Sequence, residues 1–445
     1  MFSFKRWLPS RPEEAILVLL FGLVLLGNSL AQKVAEIASI SSFLSDVGVS
    51  QFLIVLIISS IISLATTGVQ SLLIDRFSRI HLIGGITIFL GLSFICLRLL
   101  FLLGTPKWLN YSLFYLLSDQ QLTSFPLVFW VFANDAFEVA QTKRLFPLIS
   151  SFGLWGSLIG IGIAAISPRI LKPLGIPLEE ILTLNSLIYL AIFLAVWIGL
   201  KKSSSRPTNQ RVESLWETFS EGWEFIHGVP VFRYLALSGL AAIICENIID
   251  FRFFVVSESF FQDAGSYQTF LGLFSLARVI AYLTIQTFLI PRLIRNFHLK
   301  SIFMILPCAS FLGILTTLTI PGISGGVLAV SLQKLPQYTL DDVAKKSFQG
   351  LVPEERRGRV SAFMDSYLVA GGAIVGASLT GIAILIGRKL DVYQDFYIYL
   401  SIGLIVSVAA IMGSIRLKTV YDSSLLNWRL KRRRRSKDVL SKLDF

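Results

Sequence analysis

Glu246, Asp250 and Arg252 stand in the run YLALSGLAAIICENIIDFRFFVV, which is otherwise oily and long enough to cross a bilayer. An ionised side chain at mid-membrane costs about 2.5–3.5 kcal/mol on insertion scales, so such groups face partners or a water-filled path rather than lipid. Other apolar runs carry Asn28, Gln32, Lys33 and Glu36, then Arg98, then Asp119 with Gln120 and Gln121, then Arg278, Gln333, Lys334 and Asp365. Helical spacing sorts them. Glu246 and Asp250 are four apart and share a face, whereas Arg252 lies well round from Asp250 and answers another helix. Asn28, Gln32 and Glu36 form one stripe, and Arg278, Tyr282 and Gln286 another. The chemistry open to this set is ionic recognition. Lys33, Arg252, Arg278 and Lys334 suit an anion, while Glu246, Asp250 and Asp365 shape the empty site or carry a proton. Each has a structural alternative: Glu246 with Arg278 and Asp119 with Lys334 as ion pairs, Lys33 and Glu36 as boundary residues, and Arg98 reaching outward along its helix.

The three cysteines (Cys96, Cys245, Cys308) and three histidines (His81, His227, His298) lack metal or disulfide spacing. Gly153, Gly156, Gly160, Gly371, Gly372 and Gly376 are spaced for close helix packing, and no Lys-Ser/Thr follows them as a phosphate loop requires. Neither an enzyme nor a cofactor or metal centre is expected.

The elements that must hold these residues are membrane helices. Hydrophobic residues make up 54% of the chain and charged residues only 15%, against roughly 25% charged in soluble domains. Apolar runs are expected to span near 14–38, 49–73, 80–103, 111–133, 145–167 and 178–200, then near 232–257, 267–290, 299–320, 323–345, 360–386 and 394–416. This predicts an all-α membrane protein of twelve helices in two pseudo-symmetric halves, 1–200 and 232–418. A linker, 201–231, contains an amphipathic helix (Val212 to Ile226) expected on the membrane surface, and a basic tail, 419–445, suits anionic headgroups. The termini and alternate loops hold 30 of the 40 Lys and Arg residues; the opposite face holds Lys107, Arg169, Lys172, Arg388 and Lys389. That asymmetry places both termini in the cytoplasm and accounts for the +12 charge without nucleic acid. Lys5, Arg6 and Arg11 before the first apolar run also fit a signal peptide, but the run makes a plausible first span.

The halves repeat. LIDRFSRIHL from Leu73 echoes LIPRLIRNFHL from Leu289, matching Arg76 and Arg79 to Arg292 and Arg295. RLFPLISSFGLWG from Arg144 echoes RVSAFMDSYLVAG from Arg359. Counting back from these arginines puts Asp119 opposite Lys334, and the other echo puts Glu36 opposite Arg252. Opposite charges at matched depths suggest a central polar site, built from the first, fourth, seventh, eighth, tenth and eleventh runs. Two parallel six-helix halves joined by a long loop resemble the major facilitator superfamily. That family's loop pattern G-x-x-x-D-R-x-G-R is partly matched by Ser71, Asp75, Arg76, Ser78 and Arg79. The resemblance implies gating by Asp75, Arg76, Arg79, Arg292, Arg295 and Arg359, through pairs at helix ends that form in one conformation and break in another.

A narrower likeness lies in FWVFANDAFEVAQTKRLFPL, Phe129 to Leu148, which resembles the ATP/ADP translocases of plastids and intracellular bacteria. The resemblance implies that Lys33 serves nucleotide binding and that Asp250 is an important acidic residue. The chain departs where that family is charged: Gln141 or Ala140 replaces an acidic residue, and Val369 or Ala370 replaces a lysine. The expected activity is secondary transport, by alternating access, of a small anionic solute, with a nucleotide or another phosphorylated metabolite implied by the resemblance. Rivals are proton-coupled transport of another solute, with Asp119 or Glu246 titrating, and a carrier-like scaffold that no longer transports. A plasma (inner) membrane location and a monomer are expected, with a protein partner as the alternative.

Overall fold

The computed structural model describes residues 12–200, 215–261, 263–290, 292, 299–349, 352, 359–389 and 396–441. Helices lie along the expected apolar runs. They are α1 (Pro12–Asp46), α2 (Val49–Arg76), α3 (Arg79–Leu102), α4 (Lys107–Ala136), α5 (Val139–Leu171), α6 (Ile181–Leu194), α7 (Leu215–Gly228), α8 (Pro230–Phe260) and α9 (Ala264–Thr284). The rest are α10 (Leu299–Ile302), α11 (Ile305–Thr319), α12 (Gly322–Pro336), α13 (Asp342–Gln349), α14 (Leu368–Lys389) and α15 (Phe396–Ser441). A helix satisfies its backbone internally, which is why apolar runs of this length take that form in lipid. Among the described residues, eight helices are long and apolar enough to cross a membrane on their own, or nine with α8, which bends 111° from α7. The fourth, ninth and tenth expected spans fall short of that measure for physical reasons: α4 carries Asn110, Asp119, Gln120 and Gln121, and α11 and α12 are each only 15 residues long before their geometry changes.

Among the described residues, four π turns interrupt the helices: Ala195–Gly199 after α6, Ile285–Leu289 after α9, Gln337–Asp341 between α12 and α13, and Phe363–Tyr367 before α14. The third follows Pro336, which cannot donate to the ladder, and wider turns of this kind gather at functional sites.

By their internal contacts the helices form two compact units: Met1–Glu213 with Ser257–Ile280, and Ser214–Val256 with Ala281–Phe445. Ser257–Ile280 joins the first unit although the repeat assigns it to the second half. The reason is local. Gln268 is fully buried and donates to the Ala164 carbonyl and to Ser167 Oγ, both at 2.9 Å. Gly272 lies where a Cβ would stand 2.8 Å from Ala165 Cα.

Within the first unit α1 and α5 cross closely. A Cβ on Gly156 would stand 2.2 Å from the Leu26 carbonyl oxygen, and one on Gly160 2.5 Å from that of Leu30. Gly372 and Gly376 make equivalent approaches to α8, but Gly371 meets nothing within 4 Å, so the packing expectation fails there. Gly156→Ala is therefore expected to cost about 1–3 kcal/mol by overpacking. Gly371→Ala should be neutral or mildly stabilising, and thermal unfolding of the two variants in detergent checks the contrast.

The linker helix departs from expectation. Phe219 of α7 packs on Phe363 and Tyr367, with ring centroids 5.4 Å apart in each case. Gly222 admits Phe363, and Glu221 pairs with Arg359. Part of the apolar face is thus spent on the second unit, while Trp223 stays 55% exposed. The C-terminal tail, expected as a segment distinct from the last span, continues α15 without a break to Ser441.

Candidate functional site

The second unit holds a compact ionic cluster. Close approach of α12 to α8 at Gly326, where a Cβ would stand 2.9 Å from Val256 Cγ2 and 3.4 Å from Phe253 Cα, brings Lys334 against α8 two turns later. Lys334 Nζ donates to Glu246 and lies 2.9 Å from Asp250 Oδ2. Gln337 donates to the second Glu246 oxygen at 2.8 Å. The Lys334 side chain is 11% exposed. Beneath it, fully buried Gln333 accepts from Ser310 and donates to the Ala242 carbonyl at 3.4 Å. Asp341, the last residue of the π turn, and Lys345 pair at 2.5 Å beside a cavity of about 10 Å³, room for a single water. Lys334, Gln337, Asp341 and Lys345 make one polar stripe, of which sequence reasoning singled out only Lys334.

Arg252 is also in the second unit, and among the described residues no carboxylate pairs with it. Its guanidinium carbon lies 4.1 Å above the Phe396 ring, and its Nε is buried without a hydrogen-bond partner. This answers the expectation that Arg252 faces another helix, here α15. Asp365 lies in the π turn before α14 and is exposed.

The first unit has its own set. Lys33 and Gln32 both hold Glu36, at 2.6 and 2.7 Å. Asn28, from the same stripe, accepts from Tyr189 at 2.9 Å. Asp119 takes two hydroxyls on one oxygen: Ser59 at 2.6 Å and Ser63 at 2.8 Å, four residues apart on one face of α2. Gln120 donates to Ser63 at 3.2 Å. Arg278 rests on the Phe274 ring at 4.9 Å and donates to Ser275 at 3.3 Å, while its Nε is buried without a partner.

Within their own units, Glu246 takes Lys334 and Asp119 takes two serines. Arg98 reaches the end of α3 but finds Glu180 there, with Nε at 3.1 Å from its carboxylate. The repeat count fares better. Asp119 and Lys334 each lie twelve residues past the first residue of their helices, Lys107 and Gly322.

Of the gating set, Arg79 is buried and pairs with Asp135 at 2.9 Å, joining α3 to α4. Arg359 pairs with Glu221. Arg76 and Arg292 are exposed. The Asp75 side chain and Arg295 lie outside the described residues. Arg144, the echo of Arg359, meets Glu14 at 2.8 Å. The pairs of Arg79, Arg144 and Arg359 named here tie neighbouring helices inside one unit. Their partners Asp135, Glu14 and Glu221 carried no signal, because residues at helix ends look like ordinary loop charge.

No family model matches the chain, and no curated protein matches its sequence. Solved structures do. The nucleoside transporter NupG aligns at 12% identity and a TM-score of 0.64, over 91% of this chain and 99% of that one. A bacterial homologue of the iron transporter ferroportin, in an inward-facing state, aligns at 18% identity and 0.63, over 91% of this chain and all of that one. The peptide transporter PepTSo, of the POT family, gives 12% and 0.61, over 94% and 99%. The chain shares the fold of these transporters. At these identities the likeness carries architecture alone, so substrate and coupling must be read from the side chains.

Those side chains also limit the narrower resemblance. Phe129, Phe132 and Ala133 are fully buried, and Phe21 of α1 packs on Phe129 and Phe132 with ring centroids at 5.8 and 5.1 Å. Part of the most specific stretch of that resemblance, Phe129 to Ala133, is a packing corner between α1 and α4.

Proposed function

We propose that this protein is a secondary transporter of a small anionic solute, working by alternating access across twelve spans in two six-helix halves. The observation that carries the reading is a pair of arginines, Arg252 and Arg278, each held on an aromatic face with a buried Nε that has no acceptor. A guanidinium in that state fits a phosphate or carboxylate brought by a ligand. Lys33 and Lys334, by contrast, already meet local carboxylates and serve the anion only if those pairs open. Solved carriers of the same fold support the transport reading. They include a nucleoside transporter, a peptide transporter and a homologue of an iron transporter, the last known in both inward- and outward-facing states. Asp365, and the gating pairs at the Lys/Arg-rich helix ends, belong to the same proposal, as do cytoplasmic termini in a plasma (inner) membrane.

The phosphorylated class rests on the sequence resemblance and on Arg-phosphate chemistry. Proteoliposome uptake of labelled ATP and of a sugar phosphate, set against an uncharged nucleoside, tests it. Saturable uptake of an anion, competed by other anions, is the expected result. Uptake of the uncharged nucleoside with no competition by anions contradicts the reading.

A further inference from the structure

We infer that Asp119, with Ser59 and Ser63, is the site of a monovalent coupling cation, a sodium ion or a proton. The inference goes beyond the anion reading and does not need it, since cation binding is defined with no solute present.

Charge matching leads to it. Among the described residues, the first unit's carboxylates that lie well away from helix ends are Glu36, which has Lys33, and Asp119, which has no cation. Its hydrogen bonds are from the two α2 hydroxyls, both on Oδ2. The charged group that faces it is Glu36 on α1, which repels it. On α2 the facing groups are neutral serines, and on its own helix the neighbour is Gln120, tied to Ser63 and Ser124. On α3 the charged groups Arg79 and Arg98 are already taken by Asp135 and Glu180 at the helix ends.

A carboxylate among apolar helices with only neutral donors is unfavourable as an anion, and it becomes favourable once it takes a cation. The repeat gives a second, independent argument. At the equivalent position of the other half stands Lys334, whose ammonium fills a pocket of two carboxylates, Glu246 and Asp250. The first unit reverses the arrangement. It supplies the carboxylate and the oxygen ligands, and leaves the positive charge to come from solution. Asp119 Oδ2 and the two Oγ atoms that lie 2.6 and 2.8 Å from it are hard ligands of the kind an alkali cation takes.

The test uses the full-length purified protein in detergent, with sodium chloride as the probe and choline chloride holding ionic strength constant. Thermal unfolding of the wild type is expected to shift upward and saturate with sodium, because a ligand that binds only the folded state stabilises it. Asp119→Asn should abolish that shift. Ser59→Ala with Ser63→Ala keeps the carboxylate and should need about tenfold more sodium or greater, which keeps the inference testable if Asp119→Asn does not fold. If sodium and choline act alike, the proton is the cation: the wild type in choline gains stability as pH falls, and the Asp119 variant loses that gain. Equal responses of wild type and both variants to sodium and to pH overturn the inference.

Discussion

Lys334→Met is expected to abolish transport and to lower stability by about 3–5 kcal/mol, the cost of removing one partner from a buried ionic cluster. The cluster explains why this change is worse than its counterpart. Lys334 is the ammonium that meets both Glu246 and Asp250, so its loss leaves two carboxylates facing each other across a helical turn. Glu246→Gln leaves Lys334 its contact with Asp250 and leaves Gln337 an amide oxygen to donate to, and should cost much less. A triple variant, Lys334→Met with Glu246→Gln and Asp250→Asn, removes all three charges together and should recover most of the folded yield while remaining inactive. Size-exclusion monodispersity and thermal unfolding read the stability; uptake reads the function. A Lys334→Met protein as stable as the wild type contradicts the cluster.

Arg252→Met and Arg278→Met should do the reverse. Each removes a guanidinium whose buried Nε has no acceptor, and leaving such a donor unsatisfied costs about 1–3 kcal/mol. Both variants are therefore expected to be at least as stable as the wild type. Methionine keeps the contacts with Phe396 and Phe274 through its thioether. Each should nevertheless weaken anion binding about tenfold to a hundredfold, the worth of one or more charge-assisted hydrogen bonds. Stability kept and affinity lost is the pattern of a residue held for a ligand. Lys33→Met should instead lower both, since Lys33 already holds Glu36.

The contrast between these residues shows what the sequence could reveal. Glu246 and Asp250 stood out because charge in an oily run is costly, and their spacing put them on one face. Their partner could not be read, because which lysine meets a carboxylate depends on how α12 lies on α8, and that is set by a glycine, Gly326, that looks like any other. Asp341 and Lys345 were missed because the polar end of their run resembles a loop; the π turn after Pro336 carries Asp341 inside instead, with half-buried Lys345 paired to it. Their i, i+4 spacing was the signal available. The amphipathic period of α7 was visible in Phe219, Trp223 and Ile226, but a period says which face is apolar, not whether lipid or Phe363 covers it. The Phe129–Leu148 resemblance was specific because aromatic packing corners tolerate few alternatives, and for the same reason it says little about the solute.

The measurement that bears most directly on the account is counterflow of a labelled phosphorylated anion in proteoliposomes, run with wild-type protein and with Arg252→Met/Arg278→Met prepared to equal folded content. The account predicts saturable exchange in the wild type and none in the double variant, at unchanged or higher thermal stability. Equal exchange by the two proteins, or exchange of uncharged solutes alone, contradicts it.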